Sequence, residues 1–206
     1  MIISAQHRFI FAAIPKTGTH AVRQALREHM GPQDMEQVGL FVNRQMPIPE
    51  LAKIGHGHLS LAQVRPYFRP EDFDGFFKFA FVRNPFDRFV SYCSFMTRAE
   101  GHFTRDPKGV MRHFLANPPA RHILFQPQHV FVTGPDGNLL SDDLGRVEEM
   151  QQSYDRIAER IGIPSQPLEK VNASSRRDYR EYYDQSLIDG VAKLYARDLE
   201  LFGYEF

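Results

Sequence analysis

Ile10-Phe-Ala-Ala-Ile-Pro-Lys16-Thr17-Gly18-Thr19-His20 sets an apolar run against a tight polar turn, and a helical pattern opens directly behind it. The run over 8–14 reads as a strand buried on both faces. Over 19–30, Val22, Ala25, Leu26, His29 and Met30 fall on one helical face. Strand, turn and helix in this order build an anion site. The first N–H groups of a helix have no partner within it, and the positive end of its dipole lies behind them. Lys16 adds a mobile charge, and Thr17 and Thr19 add hydroxyl donors. The turn is not a Walker A loop, because its lysine precedes the only glycine and the upstream glycine is missing.

Outward from this turn, the pattern predicts alternating strands and helices. Residues 31–50 hold three prolines and no firm period, and read as loop. Ile54 to Leu59 reads as a short strand or extended segment, and 60–68 as a short helix. Phe76-Phe-Lys-Phe-Ala-Phe-Val-Arg83 is the strongest strand, apolar on both faces as a central parallel strand is. Asn84-Pro85 then starts a helix, with Asn as cap and Pro at the first position. Phe86, Phe89, Val90, Cys93 and Met96 continue it at helical spacing. Further helices are expected over 107–116, over 148–162 ending near Gly162, and over 184–200, the last burying Leu187, Val191, Leu194 and Leu199. Val130-Phe-Val-Thr followed by Gly134-Pro-Asp-Gly137 predicts a hairpin. The whole predicts one α/β domain over 1–206, with a central, mainly parallel sheet flanked by helices on both faces.

Composition removes several function classes. The 206 residues carry 25 Lys and Arg against 25 Asp and Glu, so bulk charge gives no reason to expect a nucleic-acid partner. Cys93 is the only cysteine, which excludes an internal disulfide framework. It falls among apolar residues on a predicted helix and reads as a buried, inert thiol. No apolar stretch approaches 18 residues, so a soluble, cytoplasmic protein without membrane insertion is expected. Oligomeric state leaves no mark in the sequence.

A second basic position follows the second strong strand. Arg83 closes it, and Ser91 comes eight residues later, about two turns into the next helix. Ligands of open α/β sheets bind outside the carboxyl ends of the strands. Lys16 and Arg83 are therefore expected on one sheet edge, and Ser91 within reach of the anion that Arg83 holds.

Pro15-Lys16-Thr17-Gly18-Thr19, followed by Val82-Arg83-Asn84-Pro85 and Ser91, resembles the paired signatures of sulfotransferases that use 3′-phosphoadenosine-5′-phosphosulfate. Asp143-Leu-Gly-Arg146-Val-Glu148, Val171-Asn172-Ala-Ser174-Ser175-Arg176-Arg177-Asp-Tyr179, Tyr182-Tyr183 and Asp198-Leu-Glu-Leu-Phe-Gly-Tyr204 resemble the later signatures of the membrane-associated carbohydrate sulfotransferases and their bacterial relatives. The resemblance implies a P-loop-like three-layer fold and sulfuryl transfer to a hydroxyl acceptor, a small molecule or, more specifically, a glycan. It implies that Lys16, Thr17, Gly18, Thr19 and His20 hold the 5′-phosphosulfate, His20 standing where the family usually has Ser or Thr. It implies that Arg83 and Ser91 hold the 3′-phosphate, and that Ser174, Arg176 and Arg177 close over the nucleotide. No metal is implied.

Transfer to a hydroxyl needs a base, and Gly55-His56-Gly57-His58-Leu59 offers two. In an extended segment both histidines project to one face. The stretch resembles the HGH of 2-O-type glycan sulfotransferases, in which the second histidine is the base. This implies His58 as base and His56 as its helper. A histidine base gives a rate that rises through a limb near its pKa, about 6.5 unless the fold shifts it. Lys16 would stabilise charge on the leaving oxygen. His-x-His as a zinc pair lacks a third placed ligand. Two alternatives stay open, a nucleotide kinase of related fold and a catalytically silent nucleotide- or glycan-binding domain.

Overall fold

In the computed structural model, residues 1–37, 47–169 and 177–206 are described. They form two compact units. The first comprises Met1–Val82 and Val130–Val171, the second Arg83–His129 and Asn172–Phe206.

The first unit is built on a five-stranded sheet: β1 (Ile2–Ser4), β2 (Phe9–Ala12), β3 (Met35–Glu36), β4 (Phe77–Val82) and β5 (Asp143–Arg146), in the order β3-β1-β2-β4-β5. β2 pairs parallel with β4, and β4 parallel with β5, while β1 is antiparallel to both β2 and β3. Four of these five strands thus run one way and β1 alone is reversed. The expectation of a mainly parallel sheet holds. β1 itself was not foreseen, because three residues are too few to show a period.

Alternation along the strands sorts their side chains. On one face Phe9, Phe11, Phe79 and Phe81 meet Val22, Ala25 and Leu26 of α1 (Thr19–Arg27) and Tyr154, Ile157, Ala158 and Ile161 of α8 (Met150–Ile161). The rings of Phe11 and Phe79 stack 5.2 Å apart, and those of Phe9 and Phe79 tilt at 5.7 Å. Each such side chain contributes about 1.5–3 kcal/mol by leaving water. Gly145 on β5 has no room for a side chain, since a Cβ there would sit 2.7 Å from the Phe81 ring. On the other face Ile10, Ala12, Ile14, Ala80 and Val82 are buried too. There Lys78 reaches over to α4 (Pro70–Gly75), donating to the Phe73 carbonyl at 3.2 Å while pairing with Asp142 at 2.9 Å.

Between β3 and β4 the chain also forms α2 (Pro49–Ala52) and α3 (Leu61–Val64), the latter closed by a capping box of Ser60 and Gln63. A 3₁₀ turn over Arg65–Tyr67 completes the short helix expected at 60–68. The prolines of 31–50 therefore hid two short elements, β3 and α2. The hairpin expected after Val130 is reduced to a 3₁₀ turn at His129–Phe131 and a single bridge between Thr133 and Leu139.

The second unit is helical: α5 (Pro85–Met96), α6 (His102–Arg105), α7 (Pro107–Ala116), α9 (Gln185–Leu194) and α10 (Ala196–Phe202). Its core gathers Phe86, Phe89, Tyr92, Cys93, Phe103, Met111, Phe125, Tyr183, Leu187, Val191 and Tyr195. Two buried phenols find carbonyl partners, Tyr183 donating to Phe86 at 2.8 Å and Tyr195 to Phe125 at 3.0 Å. The single late helix expected over 184–200 is two, broken at Tyr195, whose ψ of 29° leaves the helical range. Burial drives the Cys93 thiol pKa upward, which keeps it protonated. No helix among the described residues is long and apolar enough to cross a membrane.

Candidate functional site

The Lys16 turn rests on backbone conformations that few residues adopt. Lys16 has φ +67° and Gly18 φ +71°. Glycine takes the left-handed region freely, whereas for lysine it costs about 1–2 kcal/mol. Strain of this kind collects at functional positions. Gly18 is the N-cap of α1 and has no side chain with which to cap it. The N–H groups of Gly18, Thr19 and His20 donate to no other described residue, while Ala21 bonds back to the Gly18 carbonyl at 3.2 Å. A side chain at Gly18 would be strained by the φ of +71°, and its Cβ would also have to displace the flexible Cε end of Met150, 2.6 Å away at the start of α8.

Thr17 departs from its expected part. It is fully buried, and its hydroxyl donates to the Ile14 carbonyl at 2.9 Å. A hydroxyl has one hydrogen, so this side chain staples the turn instead of offering a donor to an anion. The surroundings are cationic despite the neutral total charge. The His20 pKa is lowered first by partial burial and then by Arg23, Arg27 and Lys16.

The two histidines do not lie on a strand. Gly55 adopts φ +72°, which ends any extended run. The His58 N–H turns back onto Nδ1 of His56 at 3.3 Å, and the ring centroids stand 6.2 Å apart. Nδ1 of His58 lies 2.7 Å from the Ala13 carbonyl. That contact requires Nδ1 to carry the proton, which leaves a lone pair on Nε2. It also anchors the ring to the strand end that feeds the Lys16 turn. Burial drives the His58 pKa from 6.5 to about 3, the bond to Ala13 opposing and Arg23 adding to the fall. The ring is therefore neutral at physiological pH. The shift moves the expected pH limb away from the ordinary value of about 6.5. Burial lowers the His56 pKa as well.

Side chains from elsewhere hold this segment in place of a strand partner. Arg23 of α1, only 4% exposed, donates to the Gly57 carbonyl at 2.8 Å and to the Gln37 carbonyl at 3.3 Å. Gln37 donates to the carbonyls of Leu51 at 2.7 Å and His56 at 3.2 Å. Burial brings the Arg23 pKa down to about 10, with Glu36 opposing, so it stays charged. Glu36 in turn accepts a bidentate pair from Arg27 at 2.8 and 2.9 Å.

Arg83 directly follows the last residue of β4, as the Pro15 turn follows β2, and these two strands are parallel neighbours. Asn84 caps α5, its side chain accepting from the Phe86 N–H at 3.0 Å, as the sequence predicts. The Arg83 guanidinium is held by Asp87, one turn along, at 2.8 and 2.6 Å. Ser91 is buried on α5, and its hydroxyl makes no hydrogen bond to another described residue. Arg177 is exposed, 3.9 Å from Glu181. Ser174 and Arg176 lie outside the described residues. Among the described residues, no group of three or more His, Cys, Asp or Glu is placed to hold a metal ion.

Nothing in the sequence points to Arg23, whose role depends on carbonyls 14 and 34 residues away, or to Gln128, which brackets the Arg83 backbone. Asp198 lay in a quoted C-terminal signature, but without a role. No curated protein and no solved structure matches this chain. Residues 1–109, which take in the Lys16 turn, both histidines, Arg83 and Ser91, match the sulfotransferase family. The match spans just over half of the 206 residues, and by it the chain belongs to the sulfotransferase family.

Proposed function

We propose that this sulfotransferase takes its sulfuryl group from 3′-phosphoadenosine-5′-phosphosulfate and passes it to a carbohydrate hydroxyl. The observation that carries the reading is the bond from His58 to the Ala13 carbonyl, which ties a neutral imidazole to the strand feeding the Lys16 turn. In this reading the N–H groups of Gly18, Thr19 and His20, with Lys16, hold the 5′-phosphosulfate in a P-loop-like arrangement. Arg83 and Ser91 hold the 3′-phosphate, and the 174–177 stretch, through Ser174, Arg176 and Arg177, covers the nucleotide.

The acceptor oxygen attacks sulfur in line with the bond to the 5′-phosphate. As the new S–O bond forms, Nε2 of His58 takes the hydroxyl proton, and the bridging S–O bond breaks with its electron pair going to the phosphate. Lys16 stabilises the charge that grows on that oxygen, an interaction stronger in the transition state than before it. His56 supports the loop that carries His58.

The test is turnover with sulfur-labelled donor against sugars, phenols and lipid alcohols, beside a parallel arm with ATP and Mg²⁺. Label on a sugar hydroxyl is the expected result. Phosphoryl transfer from ATP with no sulfuryl transfer would replace the reading by a kinase. Binding of the donor without transfer to any acceptor would leave a silent binding domain.

A further inference from the structure

Behind Arg83 lies a buried polar relay that the proposed chemistry does not use. Asp198 of α10 is fully buried. Its carboxylate accepts the Gln128 N–H at 2.7 Å and, on the other oxygen, the His129 N–H at 2.9 Å and the His129 ring Nδ1 at 2.7 Å. A buried carboxylate is tolerated only when hydrogen-bonded and compensated in charge. Arg88 supplies charge. Burial lowers the Arg88 pKa, and Tyr195 and Asp198 push it back.

Asp198 therefore fixes the backbone at 128 and 129, and with it the Gln128 side chain, which is itself fully buried. That side chain brackets one residue. Its Oε1 accepts the Arg83 N–H at 2.9 Å, and its Nε2 donates to the Arg83 carbonyl at 2.8 Å. The amide makes the two bonds that a paired strand would make, at the residue where β4 has ended. Glutamine has both the donor and the acceptor this needs. Asp87 orients the guanidinium from the first turn of α5. Backbone and side chain of Arg83 are thus set by different groups.

We infer that Gln128 and Asp198 are positioning residues that fix Arg83 for recognition of the nucleotide 3′-phosphate. The inference rests on the donor proposed above. A charge-assisted contact depends on the geometry of its donor, so loss of this clamp reaches the ligand without touching it.

The experiment is calorimetric titration of adenosine 3′,5′-bisphosphate and adenosine 5′-monophosphate into wild type, Gln128→Met and Asp198→Asn. Gln128→Met keeps the volume and removes both bonds. Asp198→Asn keeps the shape and turns one acceptor into a donor facing N–H groups. Each variant's circular dichroism and melting curve are recorded beside the titration. Wild type is expected to prefer the bisphosphate. Both variants are expected to lose about tenfold on the bisphosphate and less than twofold on the monophosphate. Should Asp198→Asn fail to fold, Gln128→Met decides alone. Folded variants that keep the wild-type preference, or lose both ligands equally, overturn the inference. A wild type that shows no preference for the bisphosphate overturns the donor assignment instead, and the inference falls with it.

Discussion

His58 shows how burial sets what a side chain can do. Its resemblance to a catalytic base was readable in the sequence. Its protonation was not, because that depends on Ala13 and Arg23, both remote in the chain. His58→Ala is expected to lower kcat by about 10², the low end for a positioned acid–base group because a ring held near 3 is a weak base, with nucleotide affinity nearly unchanged in titration. The base form is populated wherever pH exceeds the folded pKa of about 3. The kcat/KM profile is therefore expected to show no histidine limb near 6.5, and to fall only in strong acid. Stability follows the same sign. The unfolded ring binds protons below its ordinary value of 6.5 and the folded ring does not until about 3, so stability falls as pH drops through that window. Lys16 offers a different comparison. Lys16→Ala and Lys16→Gly both remove the charge and should both lower kcat by about 10²–10³. Only glycine relieves the left-handed strain, so Lys16→Gly is expected to be more stable than Lys16→Ala by about 1 kcal/mol in denaturant melts.

Among elements, those with local causes were legible. α5 begins where Asn84-Pro85 says it begins, and α7 and α8 fall on the stretches 107–116 and 148–162 expected to be helical, the latter ending at Gly162. The 54–59 segment joins no sheet because its carbonyls accept from the Arg23 and Gln37 side chains, which are remote in the sequence, and not from a strand. The break at Tyr195 was invisible because apolar spacing continues across it. Asn84 lends itself to a test, since it caps α5 and also donates to the Glu205 carbonyl at 2.7 Å and to the Tyr179 hydroxyl at 3.2 Å. Asn84→Ala is expected to cost about 1–2 kcal/mol from the cap alone, with Asn84→Asp recovering that part in thermal melts.

Across the whole molecule, the chain leaves a sheet-based unit at Val82 and enters a helical one at Arg83, so the second signature straddles the point of change. The strand periods and the aromatic runs made the first unit readable. The second depends on side chains far apart in sequence, such as Gln128 and Asp198, which no window of residues brings together. Its core also encloses Cys93, the only thiol in the chain. The consequence is practical: the folded protein should give no background with maleimide or iodoacetamide reagents, so a cysteine introduced on the surface would carry a dye or spin label alone. The native thiol then becomes a clock. Its modification rate, followed by mass spectrometry, is expected to track the opening of the helical unit and to rise with denaturant, whereas fast labelling under native conditions would show that this core breathes.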